Sequence, residues 1–142
     1  MDYKEVMASI LDKKGLPYRV YDPLKNLIDK KKELDKLKGS GIHGGDNYYH
    51  RLAMCENAQK GELEAKVSRL AGFANEAKDI IKKTYGIGVE RKPYIENLRD
   101  SIKDILNNEE GLNLGLQNPE ISCKILLQDL DWETNTWKKP RK

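Results

Sequence analysis

The chain has 142 residues, a mass of 16.3 kDa and a formal net charge of +3, which is one domain by size and enough to bury a core without metal or disulfide support. Charges of both signs, 35% of the residues, alternate with recurring apolar positions, so the pattern reads as amphipathic helices and argues against disorder and against a β-sandwich or barrel. No run approaches 18 apolar residues, which excludes a membrane-spanning helix, and a charge excess this weak and scattered excludes a basic nucleic-acid binder.

Residues 2–14 form a short amphipathic helix with Val6, Met7, Ile10 and Leu11 on one face, stopped by Gly15 and Pro17. The segment YRVYDP is extended or a turn, because Pro23 disfavours helical geometry at Asp22. A helix then covers 24–38, striped by Leu24, Leu27, Ile28, Leu34 and Leu37, with its lysine run as a solvated face. The glycine-rich GSGIHGG, 39–45, is a loop. A third helix starts near Asp46 as N-cap and ends or kinks at Gly61. Residues 62–85 carry the strongest periodicity. Leu63, Val67, Leu70, Ala74, Ala77, Ile81 and Tyr85 recur at steps of three and four, widened by Phe73 and Ile80, and predict a long core-facing helix. A further helix covers 94–107, the stretch after it is loop, and a last helix covers roughly 119–136; ILLQDLDW also fits a buried strand, but length and the lack of a partner strand favour helix. KKPRK is a basic tail. The expected architecture is all-α: an antiparallel bundle of four main helices plus one or two extra helices, in a single domain over 1–142.

Three groups of residues invite a chemical reading. Gly39, Gly41 and Gly44 spell GxGxxG, but a helix precedes them where a dinucleotide site needs a strand, so they read as a flexible loop. Asp46 and His50 share a helix face at i, i+4, with His43 close by in the loop. Such a set can orient a general base or begin a metal site, and Cys123 can approach from another helix. With two histidines in the chain, the alternative is a structural His–carboxylate contact, and no metal or cofactor is expected. Cys55 and Cys123 do not make a disulfide framework. With no cleavable leader pattern, they suit a cytoplasmic chain, or one exported without a cleaved signal peptide. Near the C-terminus, Asp131 and Asn135 are spaced to satisfy backbone groups, and Trp132 and Trp137 read as core more readily than as a ligand cage.

Residues 44–61, GGDNYYHRLAMCENAQKG, resemble the most recognisable stretch of the serum amyloid A family, through Gly44, Asp46, Tyr48, Tyr49, His50, Ala58 and Gly61. ANEAKDIIKKTYG, 74–86, resembles the helix that follows in the family, and Asp131, Asn135 and Trp137 repeat its closing Asp, Asn, Trp spacing. Lys138 stands where the family has glycine, and the helix at 94–107 and the N-terminal helix are additions to its frame. The resemblance implies a compact bundle of four main helices that binds lipid, lipoprotein or small apolar ligands, tends to oligomerise and has no catalytic residues. It also implies that Asp46, Tyr48, Tyr49 and His50 hold neighbouring helices together, and it suggests a microbial relative. The function expected is thus a non-catalytic binding module for an apolar or lipid ligand, a protein partner or a second copy. The rival is a secreted bacterial effector or toxin with a small active site at Asp46, His50 and His43. A third option puts the lysine-rich helix at 24–38 on an anionic membrane surface.

Overall fold

A computed structural model describes residues 18–41 and 43–138. The helix expected at 2–14 and the last four residues of the basic tail lie outside these. The described chain is mostly helical: α1 (Tyr18–Gly39), α2 (Gly45–Ala58), α3 (Glu62–Tyr85), α4 (Tyr94–Gln117) and the single turn α5 (Cys123–Leu126). A two-stranded ribbon follows, β1 (Leu130–Asp131) and β2 (Thr136–Trp137), paired antiparallel with Leu130 opposite Trp137. The all-α class expected from the sequence holds, with this small ribbon added to it.

The bounds of α3 match the expected 62–85, set by Gly61 before it and a left-handed Gly86 after it. Other bounds differ. α1 begins six residues early and runs through Pro23, whose ring is buried and whose carbonyl accepts a bond from Asn57 Nδ2 at 3.0 Å. Tertiary contacts at this helix end override the local preference of the residue before proline. Asp46 is not an N-cap. Gly44 holds that place in left-handed geometry (φ 77°), and Asp46 lies in the first turn.

The largest correction concerns residues 108–136. α4 does not stop at 107 but continues to Gln117, and no long terminal helix forms. Gly111 and Gly115, read as loop, are helical, four residues apart, on the face against α2. A Cβ on Gly111 would stand 2.5 Å from the Arg51 carbonyl oxygen, and one on Gly115 would collide with the Cys55 carbonyl. Glycine there lets the two backbones approach. Asp131 then closes a tight turn, its Oδ1 accepting the backbone N–H groups of Glu133 and Thr134 at 3.1 Å each, and Asn135 takes a left-handed φ of 56°.

Contacts give the helix directions. Leu34 abuts Gly45 and Asn26 bonds Asn57, so α1 and α2 run antiparallel. Ala58 and Ala65 cluster beside the connection and Met54 abuts Gly72, so α2 and α3 do too; Arg69 meets Glu109 and Thr84 meets Asn97, so α3 and α4 form an antiparallel hairpin. Asn47 pairs with Asn107, Arg51 lies on Gly111 and Cys55 on Gly115, so α2 and α4 run parallel, in close contact. The helices alternate in direction along the chain, but not every pair of packed neighbours is antiparallel.

Two small apolar clusters form the core. One gathers Leu52, Cys55, Leu114, Cys123 and Leu127; the other Met54, Ala58, Ala65 and Leu112. Cys55 and Cys123 are disulfide-bonded, with Cα atoms 6.0 Å apart across 68 residues of sequence. The sequence leaves open whether the two cysteines interact, because a long sequence separation says nothing about the distance between α2 and α5.

The periodicity of α3 is real, but its direction is reversed. The stripe is not core-facing: Leu70 is 69% exposed and Tyr85 74%, with Leu63, Phe73 and Ile81 exposed as well. The buried side of α3 is Glu64, Ala65, Ser68, Gly72 and Glu76. α4 repeats the inversion. Asn97, Ser101, Asn107 and Asn108 are buried, while Ile95, Ile102 and Leu106 are exposed.

Candidate functional site

The residues singled out in sequence converge where the first turns of α2 meet α4 and the C-terminal ribbon. Gly44 backs onto the Trp132 carbonyl so closely that a Cβ would collide with it. Asn47 Nδ2 donates to that same carbonyl at 2.8 Å, and Tyr48 stacks on the Trp132 ring with centroids 4.4 Å apart. Tyr49 meets Trp132 edge-on. One motif therefore supplies both a backbone approach and an aromatic platform for the ribbon.

A chain of amides lies beneath. Asn107 Nδ2 donates to Asn47 Oδ1 at 3.0 Å, and Asn135 Nδ2 donates to Asn107 Oδ1 at 3.1 Å. Arg51, 4% exposed, donates to the Asn47 carbonyl, to Asn135 Oδ1 and to Glu110 Oε1, which also accepts from Trp137 Nε1 at 2.9 Å. Asn135 and Trp137 are thus held to α2 and α4 through side chains that the motifs do not include, Asn47, Arg51, Asn107 and Glu110, while the Asp131 side chain bonds within its own turn. Their signal was faint. Asn47 and Arg51 are spaced i, i+4, and adjacent asparagines in mid-helix need partners because they favour helices poorly.

Asp46 and His50 point to α4. Lys103 Nζ lies 3.3 Å from Asp46 Oδ2. Burial works to raise the Asp46 pKa, but Lys103 and, more weakly, His50 and Lys38 outweigh it, so the group is held below the ordinary aspartate range. His50 Nδ1 lies 2.9 Å from Asn108 Oδ1 and donates there; its Nε2 stands 3.9 Å from Asp104 Oδ2. Asp104 in turn contacts Glu76 of α3. Glu76 is 3% exposed, and burial, Asp104 and Asp79, in that order, push its pKa up to about 7 against the pull of Ser101. Two carboxyls in contact are stable with one proton between them. His43 sits exposed in the loop before α2, and the Cys123 sulfur is committed to Cys55. Among the described residues, no three His, Cys, Asp or Glu side chains are arranged to hold a metal ion.

This region is a joint between elements. One shallow depression lies beside it, lined by Glu110, Asn113, Leu114, Gln117 and Trp137; another lies between Glu62, Ala65, Lys66, Arg69 and Leu116. The larger uncommitted surface is the outward side of the α3–α4 hairpin, continued through Ile87 and Val89 in its connection. Among the described residues, no helix is long and apolar enough to cross a membrane. Comparison of the chain with protein-family models, curated proteins and solved structures found no match.

Proposed function

We propose that the chain is a non-catalytic helical binding module, similar to serum amyloid A, that engages an apolar or lipid ligand, a protein partner or another copy of itself. The observation that carries the reading is the inversion of α3 and α4. Their apolar stripes face outward, and an exposed apolar surface of this extent marks a binding face. The stretch 44–61 supports it, since Asp46, Tyr48, Tyr49 and His50 are occupied in joining α2 to α4 and the ribbon, which suits a structural role. The disulfide favours the exported alternative, because such bonds persist in oxidising compartments.

Native mass spectrometry of the chain as purified, together with flotation on phosphatidylcholine vesicles, tests the reading. The expected result is a co-purified apolar molecule, vesicle association or a defined oligomer. A bare monomer that leaves vesicles untouched and does not enhance the fluorescence of an apolar dye refutes it.

A further inference from the structure

We infer that the outward face of the α3–α4 hairpin is the interface of a twofold homodimer. The inference rests on the reading of that face as a binding surface and names its occupant. Leu63, Leu70, Phe73, Ile81 and Tyr85 on α3 and Ile95, Ile102 and Leu106 on α4 are all exposed, with Ile87, Val89 and Tyr94 at the hairpin end. At their exposures these side chains leave on the order of 1,000 Å² uncovered, well above the few hundred of a typical monomer. A stable protein interface needs roughly 800 Å² from each partner, so the face alone suffices.

A second copy fits this surface better than the other occupants do. A small apolar ligand needs a cleft that encloses most of it. The two depressions described above are instead shallow, and charged or polar side chains take part in lining each of them. A helix that lies on a membrane sets its apolar stripe among cations. Here the polar sides of α3 and α4 are turned into the protein, and the exposed charges along the hairpin have both signs: Lys66 and Lys78 on α3, Glu96, Arg99 and Asp100 on α4. Both stripes lie on one rigid antiparallel pair, so a twofold axis across the hairpin covers both on both copies with the same patch. Long lysine stems at the rim can lie along the interface with their heads in water. Four of these residues, Tyr94, Ile95, Ile102 and Leu106, belong to α4, which the sequence resemblance leaves outside its frame.

The test is sedimentation equilibrium of the full chain in detergent-free buffer, repeated for Leu70→Glu and for Leu106→Glu. These side chains are 69% and 63% exposed in the protomer, so helicity by circular dichroism is expected to stay unchanged. The expected result is twice the 16.3 kDa chain mass for the parent. Each variant should raise the dimer Kd by roughly 100-fold or more. If one variant loses its helicity, the other carries the test. A parent that stays monomeric yet floats with vesicles overturns the dimer and leaves the face as a lipid surface. A parent that is monomeric and binds neither vesicles nor an apolar dye overturns both readings. A dimer that both variants leave intact places the interface elsewhere and overturns the inference.

Discussion

Glu76 gives the protein a pH dependence whose sign follows from its surroundings. It is 3% exposed on the inner side of α3 and faces Asp104 and Ser101 of α4, with Asp79 one turn along its own helix and His50 of α2 behind Asp104. Its pKa rises from 4.5 to about 7 on folding. The folded chain therefore holds this proton more tightly than the unfolded chain does. The stabilisation is fully present below pH 4.5 and is lost as pH rises through about 7. A rise of that size corresponds to at most about 3 kcal/mol. Water entry and the coupling to Asp104 reduce this to about 2 kcal/mol, or roughly 8 °C in Tm for a chain of this length. Glu76→Gln keeps the shape and the hydrogen bonds and removes the titration. Urea unfolding followed by circular dichroism at about pH 5 and about pH 8 reads the difference. The parent should weaken across this interval, while Glu76→Gln should hold its midpoint and exceed the parent at the higher pH. Asp46 works in the opposite sense, since its depressed pKa adds stability above 3.8 that is lost on further acidification, so both chains should weaken again in strong acid. A parent equally stable at both pH values, or a Glu76→Gln chain that falls in parallel with it, refutes the reasoning.

Three further perturbations probe the joints around α2. Gly115→Ala puts a methyl group into the Cys55 carbonyl and against Ala58. Overpacking of roughly 1–3 kcal/mol should outweigh the gain of about 1 kcal/mol in helix propensity, so the variant should unfold at lower urea. Reducing the disulfide, or making the Cys55→Ser/Cys123→Ser double variant, opens a loop of 68 residues. The chain-entropy account puts the loss at about 4 kcal/mol, and calorimetry with and without reductant measures it. Arg51→Met strips donors from the Asn47 carbonyl, Asn135 and Glu110. Glu110 keeps partial access to water, so the cost is about 2 kcal/mol, read by urea unfolding; a change below about 0.5 kcal/mol would mean the amide chain holds nothing together.

Some features could be read in the sequence because their causes are local. Gly61 and Gly86 bound α3, and a left-handed residue at a helix end leaves the same mark in any fold. Within the stretch 44–61, Gly44, Asp46, Tyr48 and His50 lie against α4 and the ribbon. The rest depends on partners distant in sequence. Gly111 and Gly115 look like loop until α2 is placed against them, and the dense apolar run ILLQDLDW fits helix or strand until Asp131 and Asn135 turn it back onto a partner strand. The sulfurs of Cys55 and Cys123 meet because α5 folds back on α2, which neither helix specifies alone.

Periodicity located the apolar stripe of α3 and mistook which way it faces, and the reason bears on function. A helical moment fixes an axis through the helix but takes its sign from the assumption that the core lies on the greasy side. Here the inward side is chosen by what fits closely. Gly72 admits Met54 and Asn108, Gly111 and Gly115 admit the α2 backbone, and Asn47 and Asn107 bond each other across the two helices. Buried amides satisfied in this way cost little, whereas a leucine in their place would need room that the short interhelical distances do not leave. The protomer is therefore held by close backbone contact, a disulfide and an amide network, with a small apolar core. Most of the apolar stripes of α3 and α4 are not spent on this fold. Left in water, a surface of this extent would drive indiscriminate association. A closed twofold pairing removes that hazard, because the same patch is covered on both copies and no sticky edge remains to propagate.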